Sequence, residues 1–123
     1  MKIRDFQSLN FQLNKMEENS NKMKIGIASE GKALTDKVSM RAGRAPYYLI
    51  FDGKRLVKAI RNPFAIGGGG AGFSVAKVLS DEKVELVISG KFGPNMESAL
   101  EQRKIKAVES KEISVKEAIE RFS

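Results

Sequence analysis

The apolar pattern of this chain predicts a mixed α/β domain, a five-stranded sheet in the order 3-2-1-4-5 with helices flanking it. Three observations carry the prediction. A short apolar strand opens at Met23, a hairpin signature follows around Asp52-Gly53, and two strand–helix repeats come after it. Right-handed crossovers make the first, fourth and fifth strands parallel, and the hairpin sets the second antiparallel to the first. The 123 residues suit one domain.

Residues 1–22 read as an N-terminal extension. Ile3, Phe6, Leu9, Leu13 and Met16 recur at steps of three and four, the stripe of a short amphipathic helix. Asn19-Ser20-Asn21 breaks the pattern, and Met23 reads as an alternative start of the chain, with the domain proper spanning 23–123. The stripe calls for an apolar surface, on this molecule or on a copy with which it would form a homodimer.

Met23–Ala28 is the first buried strand. Ser29 to Pro46 is irregular, punctuated by Gly31 and Gly43. Tyr47–Phe51 is a strand, Asp52-Gly53 a tight turn, and Arg55–Ile60 an alternating strand with one wet face. Asn62-Pro63 ends the hairpin, and Gly67 to Gly72 forms a glycine-rich loop. Phe73, Ala76, Val78 and Leu79 supply the core face of a helix ending near Asp81. Val84–Ser89 is a strand buried on both faces. Gly90 to Asn95 is a turn, with Pro94 at the start of a helix that carries Met96, Ala99 and Leu100. Ile105–Val108 is the last strand. Ser114-Val115-Lys116-Glu117 is a capping box, opening a helix with Val115, Ala118, Ile119 and Phe122 inward.

Composition removes whole classes of chemistry. The chain has no Cys and no His, which excludes thiolate and imidazole metal sites, thiol nucleophiles and His-based triads. No apolar run is long enough to span a bilayer, and no signal pattern opens the chain, so a cytoplasmic location is expected. The carboxylates lie mostly on the last three helices, interleaved with Lys, and none pairs as acid and base. An enzyme is therefore not expected.

The net charge of +7 is concentrated. Residues 23–66 hold nine basic and three acidic side chains, whereas 67–123 hold nine of each. Such concentration points to an anion-attracting region. Candidate contacts are Arg41 and Arg44, a pair suited to bidentate anion contacts, and Lys91, just past the fourth strand where open α/β sheets place ligands. Gly67, Gly68, Gly69, Gly70 and Gly72 precede a helix and offer backbone N–H groups to an anion. Ordinary solvated charges and a plain flexible connection explain the same residues as well. The glycines spell G-x-G-x-x-G, but the loop does not spring from a parallel strand and no acidic residue ends the next one. Phe73-Ser74 takes the place of a Walker Lys. Tyr47, Tyr48 and Phe51 read as strand core rather than base-stacking groups, so a nucleic-acid partner is not expected.

Several segments, taken together, resemble the NifX-like family of dinitrogenase iron-molybdenum cofactor biosynthesis. They are Met23–Ser29, Gly43-Arg44-Ala45-Pro46-Tyr47-Tyr48, Asn62-Pro63, the Gly67–Gly72 loop and Gly93-Pro94-Asn95. The resemblance spans residues 23 to about 122. It implies a ribonuclease H-like fold and non-enzymatic work, the holding or carrying of an iron–sulfur or molybdenum–sulfur cluster between donor and acceptor proteins. The first strand lacks the Asp that a nuclease of this fold needs. Some relatives use His or Cys at the cluster, and this chain has neither. Another branch, resembling the orange protein of sulfate reducers, holds an anionic metal–sulfide cluster without covalent bonds to protein. Arg41, Arg44, the glycine loop and Lys91 suit that second mode. The alternative is a protein–protein interaction module with no cofactor of its own.

Overall fold

The computed structural model describes residues 23–67 and 70–122. The N-terminal stripe from Ile3 to Met16, and Gly68 and Gly69 of the glycine loop, lie outside the described residues. The elements are β1 (Lys24–Ser29), β2 (Tyr47–Asp52), β3 (Arg55–Arg61), α1 (Ala71–Asp81), β4 (Leu86–Ser89), α2 (Pro94–Gln102), β5 (Lys106–Glu109) and α3 (Val115–Phe122). The sheet order is β3-β2-β1-β4-β5. β1 is antiparallel to β2 and parallel to β4, and β4 is parallel to β5. This is the expected ribonuclease H-like arrangement.

Alternation along the strands divides the core in two. Ala28, Tyr48, Ile50 and Val87 pack with Val75 and Leu79 of α1 and Met96 and Leu100 of α2. On the other face Ile25, Ile27, Leu49, Phe51, Leu86 and Ile88 pack with Val115, Ala118 and Ile119 of α3. The central strands are thus covered on both sides, which is why β1 and β4 read as continuous apolar runs.

Four local readings are corrected. Asp52 pairs with Arg55, so the turn residues are Gly53-Lys54, and Gly53 takes the positive φ of 63°. β3 is exposed on both faces rather than one. It is an edge strand, and its register slips between Ile50 and Phe51, leaving Val57 as an extra residue. Phe73 is 49% exposed and Val78 half-buried. The inward face of α1 is Ala71, Val75, Ala76 and Leu79, because the helix begins two residues earlier than its apolar run suggested. Gly72 therefore lies in the first turn of α1, not in the loop.

Helix ends are made in two ways. α1 and α2 both close with a left-handed Lys. After α1, the Lys83 N–H donates to the Ser80 carbonyl and the Val84 N–H to Leu79. After α2, Lys104 donates to Glu101 and Ile105 to Leu100. This is a Schellman ending, with buried Val84 and Ile105 sealing it. The capping box forms as read: the Ser114 Oγ accepts from the Glu117 N–H at 3.1 Å, and a Glu117 carboxylate oxygen accepts from the Ser114 N–H at 3.1 Å.

Candidate functional site

The C-terminal ends of the parallel strands β1 and β4 lie side by side, and two chain segments are stitched across them. The Ser39 N–H donates to the Ala28 carbonyl at 2.8 Å. The Ser39 carbonyl accepts from the Gly90 N–H at 2.7 Å and from the Ser89 hydroxyl at 3.0 Å. The Ala42 N–H donates to the Lys91 carbonyl at 3.1 Å. Met40–Arg41 is thereby laid against Gly90–Lys91. A Cβ on Gly90 would stand 2.7 Å from the Met40 Cα, so this contact requires glycine.

Behind this seam the backbone is held by buried side chains. The Tyr48 hydroxyl donates to the Ala42 carbonyl at 2.5 Å. Burial pushes the Tyr48 phenol well above its ordinary range, so it remains a neutral donor. Asn62 donates to the carbonyls of Gly43 and Ala45 at 3.2 and 2.9 Å and accepts from the Phe64 N–H at 2.9 Å. Arg44 donates to the Phe64 carbonyl at 3.0 Å. Arg41 to Arg44 is therefore not an open loop: Ala42–Arg44 is a single 3-10 turn with fixed supports.

The starts of α1 and α2 close the remaining sides. A Cβ on Gly72 would lie 2.8 Å from the Met96 N, which shows how closely the two first turns approach. Both helices have a glycine N-cap, Gly70 and Gly93, with no side-chain cap. The first intrahelical acceptors are used by Ser74 and Glu97. Preceding N–H groups, such as those of Gly72 and Met96, have no acceptor within their helix, and both helix dipoles add partial positive charge.

These parts surround a cleft of about 640 Å³. Its floor is apolar, with Ala42, Ala71, Phe92 and Met96, and Met40, 45% exposed, stands at its side. Its cations are Arg41, Arg44 and Lys91. Among the described residues no carboxylate lines it. Arg41 and Lys91 are exposed, and neither forms an ion pair with a described residue. Among the described residues no group of His, Cys, Asp or Glu could hold a metal ion. The cleft therefore suits an anion held by cations and backbone dipoles, and offers methionine thioethers as its soft atoms.

Of the residues singled out in the sequence, the cleft gathers Arg41, Arg44, Gly70, Gly72 and Lys91. Gly67 lines a smaller neighbouring depression of about 170 Å³, which Arg44 and Gly70 also reach. Met40, Gly43, Gly90, Phe92 and Asn95 were not anticipated as site residues. Gly90, directly after a buried strand, and the Gly93-Pro94-Asn95 run were the available signals.

The family model for the dinitrogenase iron-molybdenum cofactor matches residues 22–123. The chain belongs to that family. The solved apo form of the orange protein from Desulfovibrio gigas is 27% identical, with a TM-score of 0.77, covering 82% of this chain and 87% of that one. A Thermotoga protein provisionally assigned as NifB and placed in the DUF35 family is 30% identical, with a TM-score of 0.71, covering 81% and 86%. No curated protein matches significantly in sequence. Membership and shared fold agree with a role in handling a cluster or cofactor. Among the described residues no helix is long and apolar enough to cross a membrane.

Proposed function

We propose that this protein is a non-enzymatic carrier that holds an anionic iron- or molybdenum-sulfur cluster, or a related cofactor precursor, in the cleft without covalent bonds. The observation that carries the reading is the cleft's composition: among the described residues, three cations and two helix starts without a side-chain cap over an apolar floor, with no carboxylate. The donor set fits such cargo. A sulfide-rich anion sheds its hydration more readily than a hard oxyanion and is polarisable, so an apolar floor suits it. With no Cys or His, exchange of cargo needs no ligand bond to break. The cluster is cargo here, and the chain's task is to bind it, shield it from water and release it to a partner protein.

Two tetrahedral dianions of equal charge, tetrathiomolybdate and molybdate, test this under argon. Tetrathiomolybdate binds more tightly than molybdate or chloride, and added salt weakens it, because the Debye length is about 10 Å at 0.1 M. Arg41→Ala and Lys91→Ala each cost about 1–3 kcal/mol of binding. Absence of binding to any of these anions overturns the reading. It would favour a protein-interaction module instead, for which the exposure of Ile66 (92%) and Phe73 (49%) near the start of α1 speaks.

A further inference from the structure

Beside the cleft lies a second concavity that the carrier reading leaves unused. Arg44 lines the cleft and also a groove of about 480 Å³. The groove's walls include Pro46, Tyr47, Pro63 and Ile66, and its cations are Arg44 and Arg61. Among the described residues no carboxylate lines it. Tyr47, expected in the core, is half-buried. Arg61 is its antiparallel partner on β3, so the two stand on the same side of the sheet. The Lys32 ammonium lies 5.8 Å from the centroid of the Tyr47 ring. Lys32 and Arg61 are exposed, and neither forms an ion pair with a described residue. Part of the positive excess of residues 23–66 thus sits here, outside the cleft.

The walls of the groove are held in place. The Asn62 N–H donates to the Pro46 carbonyl at 2.9 Å, which ties the two proline-bearing segments together. The Phe64 N–H donates to Asn62 Oδ1 at 2.9 Å, and the Ala65 N–H donates to the Asn62 carbonyl at 3.2 Å, closing a turn. Ile66 follows that turn directly and is 92% exposed. So exposed an aliphatic side chain contributes little to the core, yet a fixed turn leads into it. A preformed apolar anchor among arginines has the composition of a protein-docking site. A second copy presenting the same face would set cations against cations. A nucleic acid would meet the cations but only one ring on which to stack, among prolines and an isoleucine.

We infer that this groove docks a short acidic segment of a partner protein, one that carries a bulky apolar side chain. The apolar side chain rests against Tyr47, Pro63 and Ile66, and the flanking carboxylates meet Arg61 and Lys32. Because Arg44 borders both concavities, a partner held here stands beside the cleft, where cargo passes between proteins. That use of the groove rests on the carrier reading, whereas its acidic, apolar ligand does not.

The test is an NMR titration of the labelled full chain at low salt with the peptide acetyl-Glu-Glu-Leu-Phe-Glu-Glu-amide. Two control peptides separate charge from apolar contact: in one, Ser-Ser replaces Leu-Phe, and in the other, Lys replaces every Glu. The expected shifts centre on Tyr47 and on Arg61–Ile66, with affinity about tenfold or more above either control. Arg61→Ala and Ile66→Ser each weaken that peptide by about tenfold. Neither residue lines the cleft, so both variants keep their affinity for tetrathiomolybdate. Equal binding of all three peptides, shifts centred elsewhere, or unchanged affinity in both variants overturns the inference. Tighter binding of single-stranded oligothymidylate at the same amides also overturns it and assigns the groove to nucleic acid. Peptide binding as expected without tetrathiomolybdate binding upholds the groove while the carrier reading falls.

Discussion

Gly70 and Gly72 look alike in the sequence and do different work. A Cβ at Gly70 meets nothing within 4 Å, but its φ of 86° is left-handed. Gly72 has ordinary helical backbone, but its Cβ would strike the Met96 backbone. Gly70→Ala should therefore cost about 1–2 kcal/mol through backbone strain alone. Gly72→Ala should cost about 1–3 kcal/mol through overpacking, and should also part the two helix starts. Urea denaturation measures both costs. Anion titration gives a second readout, because Gly72→Ala displaces the start of α2 as well as adding a methyl group to the cleft wall. Asn62 was legible only as the end of a hairpin. Two of its three hydrogen bonds reach the carbonyls of Gly43 and Ala45, far away in sequence, which no local pattern reveals. Asn62→Ala leaves partly buried backbone groups without it and should destabilise by about 1–3 kcal/mol on denaturation.

At the scale of elements, the central strands were readable as short continuous apolar runs and the last two helices by their helical apolar period. The ends of α1 and α2 were less so, because Lys83 and Lys104 occupy left-handed positions where glycine is the usual signal. Lys104→Gly removes that strain and should stabilise the fold by about 1 kcal/mol, seen as a higher urea midpoint. The start of α3 carries a pH dependence. The Glu117 carboxyl is held below its ordinary value, first by the Ser114 backbone hydrogen bond and then by the Ser114 hydroxyl, with Arg121 and Lys37 adding attraction. Its contribution is thus present above the unfolded carboxyl's pKa and lost as pH falls through the lower, folded one. Glu117→Gln keeps an acceptor but not the titration. Its stability should fall less than wild type between pH 7 and pH 3, by urea midpoints at each pH. β3 defied the alternation reading because a bulge interrupts its period and its edge position leaves both faces open.

At the scale of the whole molecule, the excess charge of residues 23–66 and the strand order were both visible beforehand, and together they place cations at the end of a parallel strand pair. What the sequence did not show is how the cleft closes. Its walls come from Met40–Arg44, from Gly70–Gly72 and from Lys91–Met96, brought together by glycines whose reason is the contact each permits. The central claim is that an anionic, sulfide-rich cargo rests between these walls. The most direct measurement is an NMR titration of the isotopically labelled full chain with tetrathiomolybdate under argon, following every backbone amide. The account predicts that the largest shifts fall on Arg41–Gly43, Ala71–Phe73 and Lys91–Met96, and that Arg41→Ala and Lys91→Ala weaken them together. Shifts centred on α3 or β3, or none at saturating anion, would contradict it.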